Sequence, residues 1–183
     1  KMKKIVFLIS MVALFLIGCE KEFYVDQNPG AKVSAFNLEN FDGKKVSSKK
    51  LMDNGKKTLF VVAAEWCQHC KAELPEVQKT YENSGGQGLK RRKENARALY
   101  DKYKDKVNVV VVFTNSNTDL GKTKDYVKTN EYTFPVFYDK DGSILRGFAV
   151  QGFPYNVVIS NNKIEKFLEV PVDFDSLVQD LGK

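Results

Sequence analysis

Cys67 and Cys70 are the residues of this chain whose type and spacing speak most directly of chemistry. Separated by two residues, they close a loop too short to gain the chain-entropy stabilisation of a structural disulfide, so a bond between them is expected to be labile. Their setting sharpens that reading. The run Thr58 to Ala64 is apolar and rich in β-branched residues, as in a strand buried on both faces, and it delivers the chain to Trp66 and Cys67. From Cys70 onward, Cys70, Leu74, Val77 and Tyr81 fall on one face of a helix, with Pro75 expected to bend it. Cys67 therefore stands where a strand gives way to a helix, and the unpaired N–H groups there favour negative charge on sulfur. Only a thiolate attacks a disulfide, and Cys70, one turn along, is placed to resolve the resulting mixed disulfide.

A C-x-x-C pair also serves as half of a zinc site, which needs two further Cys or His ligands. Outside the pair the only other cysteine is Cys19, and the only histidine, His69, lies inside the motif. Zinc held within one chain is therefore disfavoured, and no metal or other cofactor is expected beyond the redox-active disulfide itself.

Cys19 belongs to a different signal. Lys3 and Lys4 precede an uncharged apolar run from Ile5 to Ile17, which ends at Leu16, Ile17, Gly18, Cys19. The run is short for a membrane span and suits the apolar region of a signal peptide. Its last four residues resemble a bacterial lipobox, in which the cysteine is lipidated and becomes the new N-terminus; the alternative is a short membrane helix ending in Cys. The expected division is a signal peptide over 1–18, a tether over 19–32 and a folded domain over 33–183, held on the extracytoplasmic face of a bacterial cell membrane.

Composition agrees with one folded domain. The chain has 183 residues, 43% hydrophobic and 12% aromatic, too apolar for a disordered segment. Its formal charge of +6 falls to +3 once Lys1, Lys3 and Lys4 are removed with the leader, an excess too small to name a nucleic-acid partner. The basic run Lys90 to Lys93 reads as the solvated face of a helix carrying Leu89, Ala96, Leu99, Tyr100 and Tyr103. Elsewhere the pattern predicts an opening hairpin near Ala35 to Leu38 turning at Asp42 and Gly43, and a Gly break at Asn54 and Gly55. Strands follow at Val107–Phe113, Val136–Asp139, Tyr155–Ser160 and Lys163–Leu168, with a helix over about Asp119 to Asn130. A last amphipathic helix carries Phe174, Leu177, Val178 and Leu181, capped by Asp173. Alternating strands and helices followed by antiparallel strands imply a three-layer α/β domain.

Trp66, Cys67, Gln68, His69 and Cys70 after a hydrophobic strand resemble the thioredoxin superfamily. The continuation Lys71, Ala72, Glu73, Leu74, Pro75 is similar to the C-x-x-C-x-x-E-x-P pattern of the TlpA and ResA group of membrane-tethered thiol-disulfide oxidoreductases. The resemblance covers about Val33 to Leu181. It implies a thioredoxin-like three-layer α/β fold, a central mixed β-sheet flanked by helices, with an N-terminal β extension.

Carried onto this chain, the resemblance makes Cys67 the exposed attacking cysteine, Cys70 the buried one, and Glu73 the acid that exchanges a proton with it. Thioredoxin has an aspartate on the preceding strand where this chain has Val61. The alternative for Glu73 is an exposed carboxylate on the helix surface. A cis-proline is implied opposite the cysteines; of Pro135, Pro154 and Pro171, position favours Pro154. Phe153 before it is larger than the family's usual residue, which bears on substrate preference. His69 matches the histidine of the oxidant DsbA, where it stabilises the thiolate, whereas Gln68 departs from it; the alternative for His69 is a solvent-facing residue of the first turn. The direction of electron flow is left open, leaning toward reduction on family grounds.

Implied partners are a membrane thiol reductase of the CcdA or DsbD type and extracytoplasmic cysteine-containing clients, such as apocytochromes or a methionine sulfoxide reductase. A DsbA-like oxidase is the alternative within the class, and a copper-binding chaperone using the same thiols is the alternative outside it. The stretch from Gly85 to Asp105 is long for the family and reads as an insertion.

Overall fold

The structure is a computed structural model that describes residues 23–83, 107–173, 177, 180 and 181. The expected leader, Cys19, the expected helix carrying Lys90 to Lys93 and the expected insertion at 85–105 lie outside the described residues, as do Phe174 and Val178 of the expected closing helix.

The chain opens with a short antiparallel hairpin, β1 (Asn37–Glu39) and β2 (Lys45–Ser47). Its turn is organised by the Asn40 side chain, whose Oδ1 accepts from the N–H groups of Asp42 and Lys44, and Gly43 takes the positive φ the turn requires. A single-turn helix α1 (Ser48–Met52) leads to β3 (Lys57–Ala63), followed by α2 (Gln68–Asn83), β4 (Val107–Thr114), α3 (Leu120–Thr129) and β5 (Val136–Asp139). The short helix α4 (Ser143–Gly147) precedes the hairpin of β6 (Tyr155–Ser160) and β7 (Lys163–Leu168). Asn161 and Asn162 both hold positive φ between these strands, the backbone of a tight two-residue connection.

The main sheet has the order β5-β4-β3-β6-β7, with β3, β4 and β5 parallel and β6 and β7 antiparallel. The expected mixed sheet flanked by helices is what the chain forms, and β3 is its centre.

Strand alternation sorts the core into two layers. Leu59, Val61, Ala63, Val109, Val111 and Phe113 meet Cys70, Leu74 and Val77 of α2 together with Leu177 and Leu181. Phe60, Val62, Val110 and Val112 face the other way, onto Val25, Phe36, Leu38, Met52, Ile144 and Phe148. Burying a side chain of this size contributes about 1.5–3 kcal/mol. Leu177 and Leu181 lie buried in helical backbone where the closing helix was expected, and the Leu177 N–H donates to the Asp173 carbonyl.

Helix α2 runs through Pro75, which supplies no N–H to the Lys71 carbonyl one turn back. Helix α3 is capped by Asp119, whose side chain accepts from the Lys122 N–H and whose carboxyl is thereby held below its usual range. Helices α1 and α4 were not foreseen; five residues each, they are too short for a readable apolar face. Asp139 makes α4 possible, since its buried carboxylate accepts from the N–H groups of Ile144 and Leu145.

The reading of 19–32 as a tether is corrected over residues 23–32. Val25 is fully buried, its N–H donates to the Gly147 carbonyl, and Phe23 stacks on Phe36 with ring centroids 4.6 Å apart. Gly30 and Val33 then bond to Ile164 and Asn162 along the outer edge of β7. Phe23 and Val25 supply apolar anchors that mixed charge and a Pro-Gly pair had obscured in the sequence. The strap also covers an edge strand whose N–H and C=O groups would otherwise be unpaired.

Candidate active site

Strand β3 ends at Ala63, and a tight connection through Ala64, Glu65 and Trp66 brings the chain to Cys67, whose N–H returns to the Ala64 carbonyl at 3.1 Å. Cys67 directly precedes the first residue of α2, in the capping position. Its Sγ accepts the N–H of Cys70 at 3.2 Å, doing with sulfur what a serine or aspartate oxygen does at other helix starts. The thiol also lies 3.5 Å from the Phe153 carbonyl oxygen.

Both cysteines are free thiols in this structure. Cys67 is 6% exposed and Cys70 fully enclosed. Burial pushes the Cys70 thiol well above its ordinary value, and the hydrogen bond and charge of Cys67, then the charge of Glu73, push the same way against the Ala64 backbone. Burial thus opposes ionisation of Cys70.

Glu73 is the carboxylate at hand. It lies one turn beyond Cys70 on α2 and is 8% exposed, so it is no helix-surface residue. Burial raises its pKa, and the side-chain amide of Asn156, donating from Nδ2 to Oε1 at 2.8 Å, offsets part of that rise. Asn156 sits on β6 directly opposite Val61 of β3. The polar group at this point of the sheet is thus supplied by the strand beside β3.

Around the thiols, Trp66 is half exposed. Its indole N–H donates to the Ser116 carbonyl at 2.7 Å, and its ring meets Phe153 edge to face at 5.8 Å. Gln68 and His69 face solvent. The Phe153–Pro154 peptide bond is cis, with Pro154 buried, and the Val170–Pro171 bond is cis as well.

Besides Asn156, three groups near the thiols were not anticipated. Glu65 accepts from Thr118 Oγ1 through Oε1, while its buried Oε2 has no partner. Tyr126 and Tyr132 place their hydroxyls 3.4 Å apart, and both are held above the usual tyrosine range, by burial first and in part by the charge of Cys70. Glu65 adjoins the motif and Asn156 interrupts an apolar strand, so both left a trace in the sequence; nothing about Tyr126 or Tyr132 did.

A separate cavity of about 350 Å³ lies between the β1–β2 hairpin and α4, lined by Phe36, Leu38, Tyr138, Asp139, Ile144 and Arg146 among others. It touches none of the thiol-site residues. Among the described residues no three His, Cys, Asp or Glu side chains are grouped to hold a metal ion, and no helix is long and apolar enough to cross a membrane.

A parallel-centred sheet with a dithiol at the head of the helix after its central strand defines a thioredoxin-like protein. Comparison with known proteins agrees. The profile of the AhpC/TSA family matches residues 29–92. The sporulation thiol-disulfide oxidoreductase A of Bacillus subtilis is 23% identical over 173 residues, spanning 94% of this chain and 90% of that protein. The thiol-disulfide oxidoreductase ResA of Bacillus thuringiensis is 27% identical over 133 residues, 73% of this chain and 64% of that one. Among solved structures, the pneumococcal exposed lipoprotein thioredoxin superposes with a TM-score of 0.63 at 23% identity, over 81% of this chain and 98% of its own. The chain has a thioredoxin-like fold and is similar to the ResA and sporulation thiol-disulfide oxidoreductases.

Proposed function

We propose that this chain is a lipid-anchored, extracytoplasmic thiol-disulfide oxidoreductase that reduces disulfides in secreted or membrane-bound clients. The observation that carries the reading is the asymmetry of the two thiols. Cys67 caps α2 beside the Phe153 backbone, and Cys70 is sealed behind it next to Glu73.

In the reducing direction the Cys67 thiolate attacks one sulfur of a client disulfide, and the other leaves as a thiolate that takes up a proton. Cys70 then loses its proton to the Glu73 carboxylate and attacks Cys67 Sγ. The client's second thiol is released, and two electrons have passed from the pair to the client. A membrane thiol reductase of the CcdA or DsbD type would restore the dithiol. Clients of the apocytochrome or methionine sulfoxide reductase kind suit a reductant in that compartment. The lipobox-like Leu16 to Cys19 supports the anchor; a Cys19→Ala variant that no longer takes up labelled fatty acid tests it.

One observation favours the reverse reaction. His69 faces solvent immediately before Cys70, the placement seen in DsbA, so oxidation of newly secreted proteins is the second reading. The reduction potential of the Cys67–Cys70 couple separates the two. A thioredoxin-like reductant lies near about −270 mV and DsbA near about −120 mV, and each 30 mV is about 1.4 kcal/mol for this couple. The expected value falls in the reducing half of that range, and a value above about −170 mV rejects the reductase reading.

A further inference from the structure

An asparagine in the middle of a buried strand needs a reason, because its amide must find partners there and its strand propensity is low. Asn156 is 2% exposed and is followed in β6 by Val157, Val158 and Ile159. Half of its amide is accounted for, since Nδ2 donates to Glu73 Oε1 at 2.8 Å. The other half is not. Asn156 Oδ1 is buried without a hydrogen-bond partner.

We propose that Asn156 is a positioning residue for the thiol-transfer step, its amide serving Glu73 in both protonation states: Nδ2 donates to the carboxylate, and Oδ1, after a half-turn of the amide, accepts from the carboxyl. The inference rests on the reading of Glu73 as the group that takes the Cys70 proton.

The argument follows from what each state requires. An ionised carboxylate only accepts, so it needs a donor; once protonated it carries an O–H, which needs an acceptor. A fixed donor would serve the first state and, in the second, could still donate to the carboxyl's C=O but would offer its O–H no acceptor. The side-chain amide carries both functions at its tip. Since Oδ1 has no partner to lose, the half-turn breaks only the bond to Glu73 that the new one replaces. The proton from Cys70 thus arrives at a carboxylate whose orientation is held before and after transfer. Other titratable groups surround the thiols: Cys67 just before α2, Cys70 on α2, Tyr126 on α3, Tyr132 ahead of β5, and Glu65 just after β3. Substitution at 156 leaves all of them in place, so a change in pH dependence reports on the amide.

The test uses the full chain with Cys19→Ala, reduced, with the aromatic disulfide dithiobis(nitrobenzoate). Cys67 attacks it, one thionitrobenzoate leaves, and a mixed disulfide forms. Cys70 then attacks Cys67 Sγ, expelling the second thionitrobenzoate and forming the Cys67–Cys70 disulfide. The two releases are read as two absorbance phases against pH. Asn156→Val and Asn156→Thr are the variants, since both suit a strand and differ only in a hydroxyl able to donate and accept.

In Asn156→Val the midpoint of the second phase is expected to move up by about one pH unit, because the hydrogen bond lost to the charged carboxylate outweighs the one lost to the neutral carboxyl, with the second release about tenfold slower below it. The first phase stays within about twofold, and Asn156→Thr falls between Val and the parent. A purely structural role would lower the melting temperature of both variants and leave the midpoint where it was, which overturns the inference. Glu73→Gln guards the premise. If it leaves the parent's second-phase profile unchanged, the proton-acceptor reading of Glu73 fails and the inference falls with it; if it abolishes the pH step while Asn156→Val does not move it, only the inference fails.

Discussion

The Cys67 thiol lies 3.5 Å from the carbonyl oxygen of Phe153, so the sulfur proposed to attack and the backbone that precedes Pro154 share one edge of the site, while Cys70 lies enclosed. A client reaching that edge meets one sulfur only. Cys70→Ser should therefore trap mixed disulfides with extracytoplasmic proteins, and Cys67→Ser should not. Affinity capture followed by non-reducing electrophoresis checks this, and equal yields from the two variants would reverse the assignment of roles.

Glu73 gives a pH-dependent prediction with a definite sign. Burial raises its folded-state pKa, so the fold prefers the carboxyl protonated, and the unfolded chain gives up that proton first as pH rises. Stability contributed by this group is greatest below the unfolded value near 4.5 and declines from there up through the raised folded value. Glu73→Gln, permanently neutral, should be more stable than the parent at neutral pH and lose the advantage near pH 4. Its resolving step should slow by about a hundredfold, the usual scale for loss of a general base. Urea unfolding across pH and single-turnover thiol release measure the two halves; a Gln variant destabilised at neutral pH contradicts the first.

Cys70 makes the corresponding prediction at alkaline pH. Its folded pKa is raised from an ordinary 9.0, so the unfolded chain ionises first and the reduced protein loses stability as pH climbs past that value. Tyr126, Tyr132 and Tyr155 carry the same sign from 10.0 upward, Tyr155 being pushed up to about 12, so the parent must be compared with Cys70→Ala, which shares those tyrosines. The parent's stability should fall more steeply than the variant's between about pH 9 and pH 10. Parallel curves would mean that burial of Cys70 is not felt in the fold.

The docked segment Phe23–Lys32 can be weighed directly. A chain beginning at Val33 loses the buried Val25 and the Phe23 ring, and should be less stable by about 3 kcal/mol or more than a chain beginning at Phe23. Gly147→Ala is a gentler probe, because an added Cβ would overlap the Phe23 ring and force it away. Thermal unfolding of the three chains decides; equal melting temperatures would return this segment to the role of a tether.

Much of the sheet was legible because its strands are buried on both faces and rich in valine and isoleucine, and the dithiol was legible because its spacing and place after β3 are unusual. What escaped notice has two physical causes. Helices of five residues, such as α1 and α4, rest on caps and tertiary packing that leave no periodic trace. Glu65, Asn156, Tyr126 and Tyr132 reach the site from four separate segments, and their convergence depends on pairing and packing. Phe23 and Val25 were hidden by their neighbours' charge, since a short strap needs only two apolar anchors to dock.

If Cys19 is acylated as proposed, the strap would also set where the redox pair can work. Between Cys19 and the docked Phe23 stand only Glu20, Lys21 and Glu22, a span of at most about 14 Å. The layer containing Phe23 and α4 would then ride close over the lipid headgroups, with α2 and its thiols on the opposite layer of the sheet. Undocking Phe23–Lys32 would add up to about 35 Å of reach. The protein would thus have two working heights above the bilayer, and depth-dependent quenching of a fluorophore on α2, in Gly147→Ala against the parent, would distinguish them.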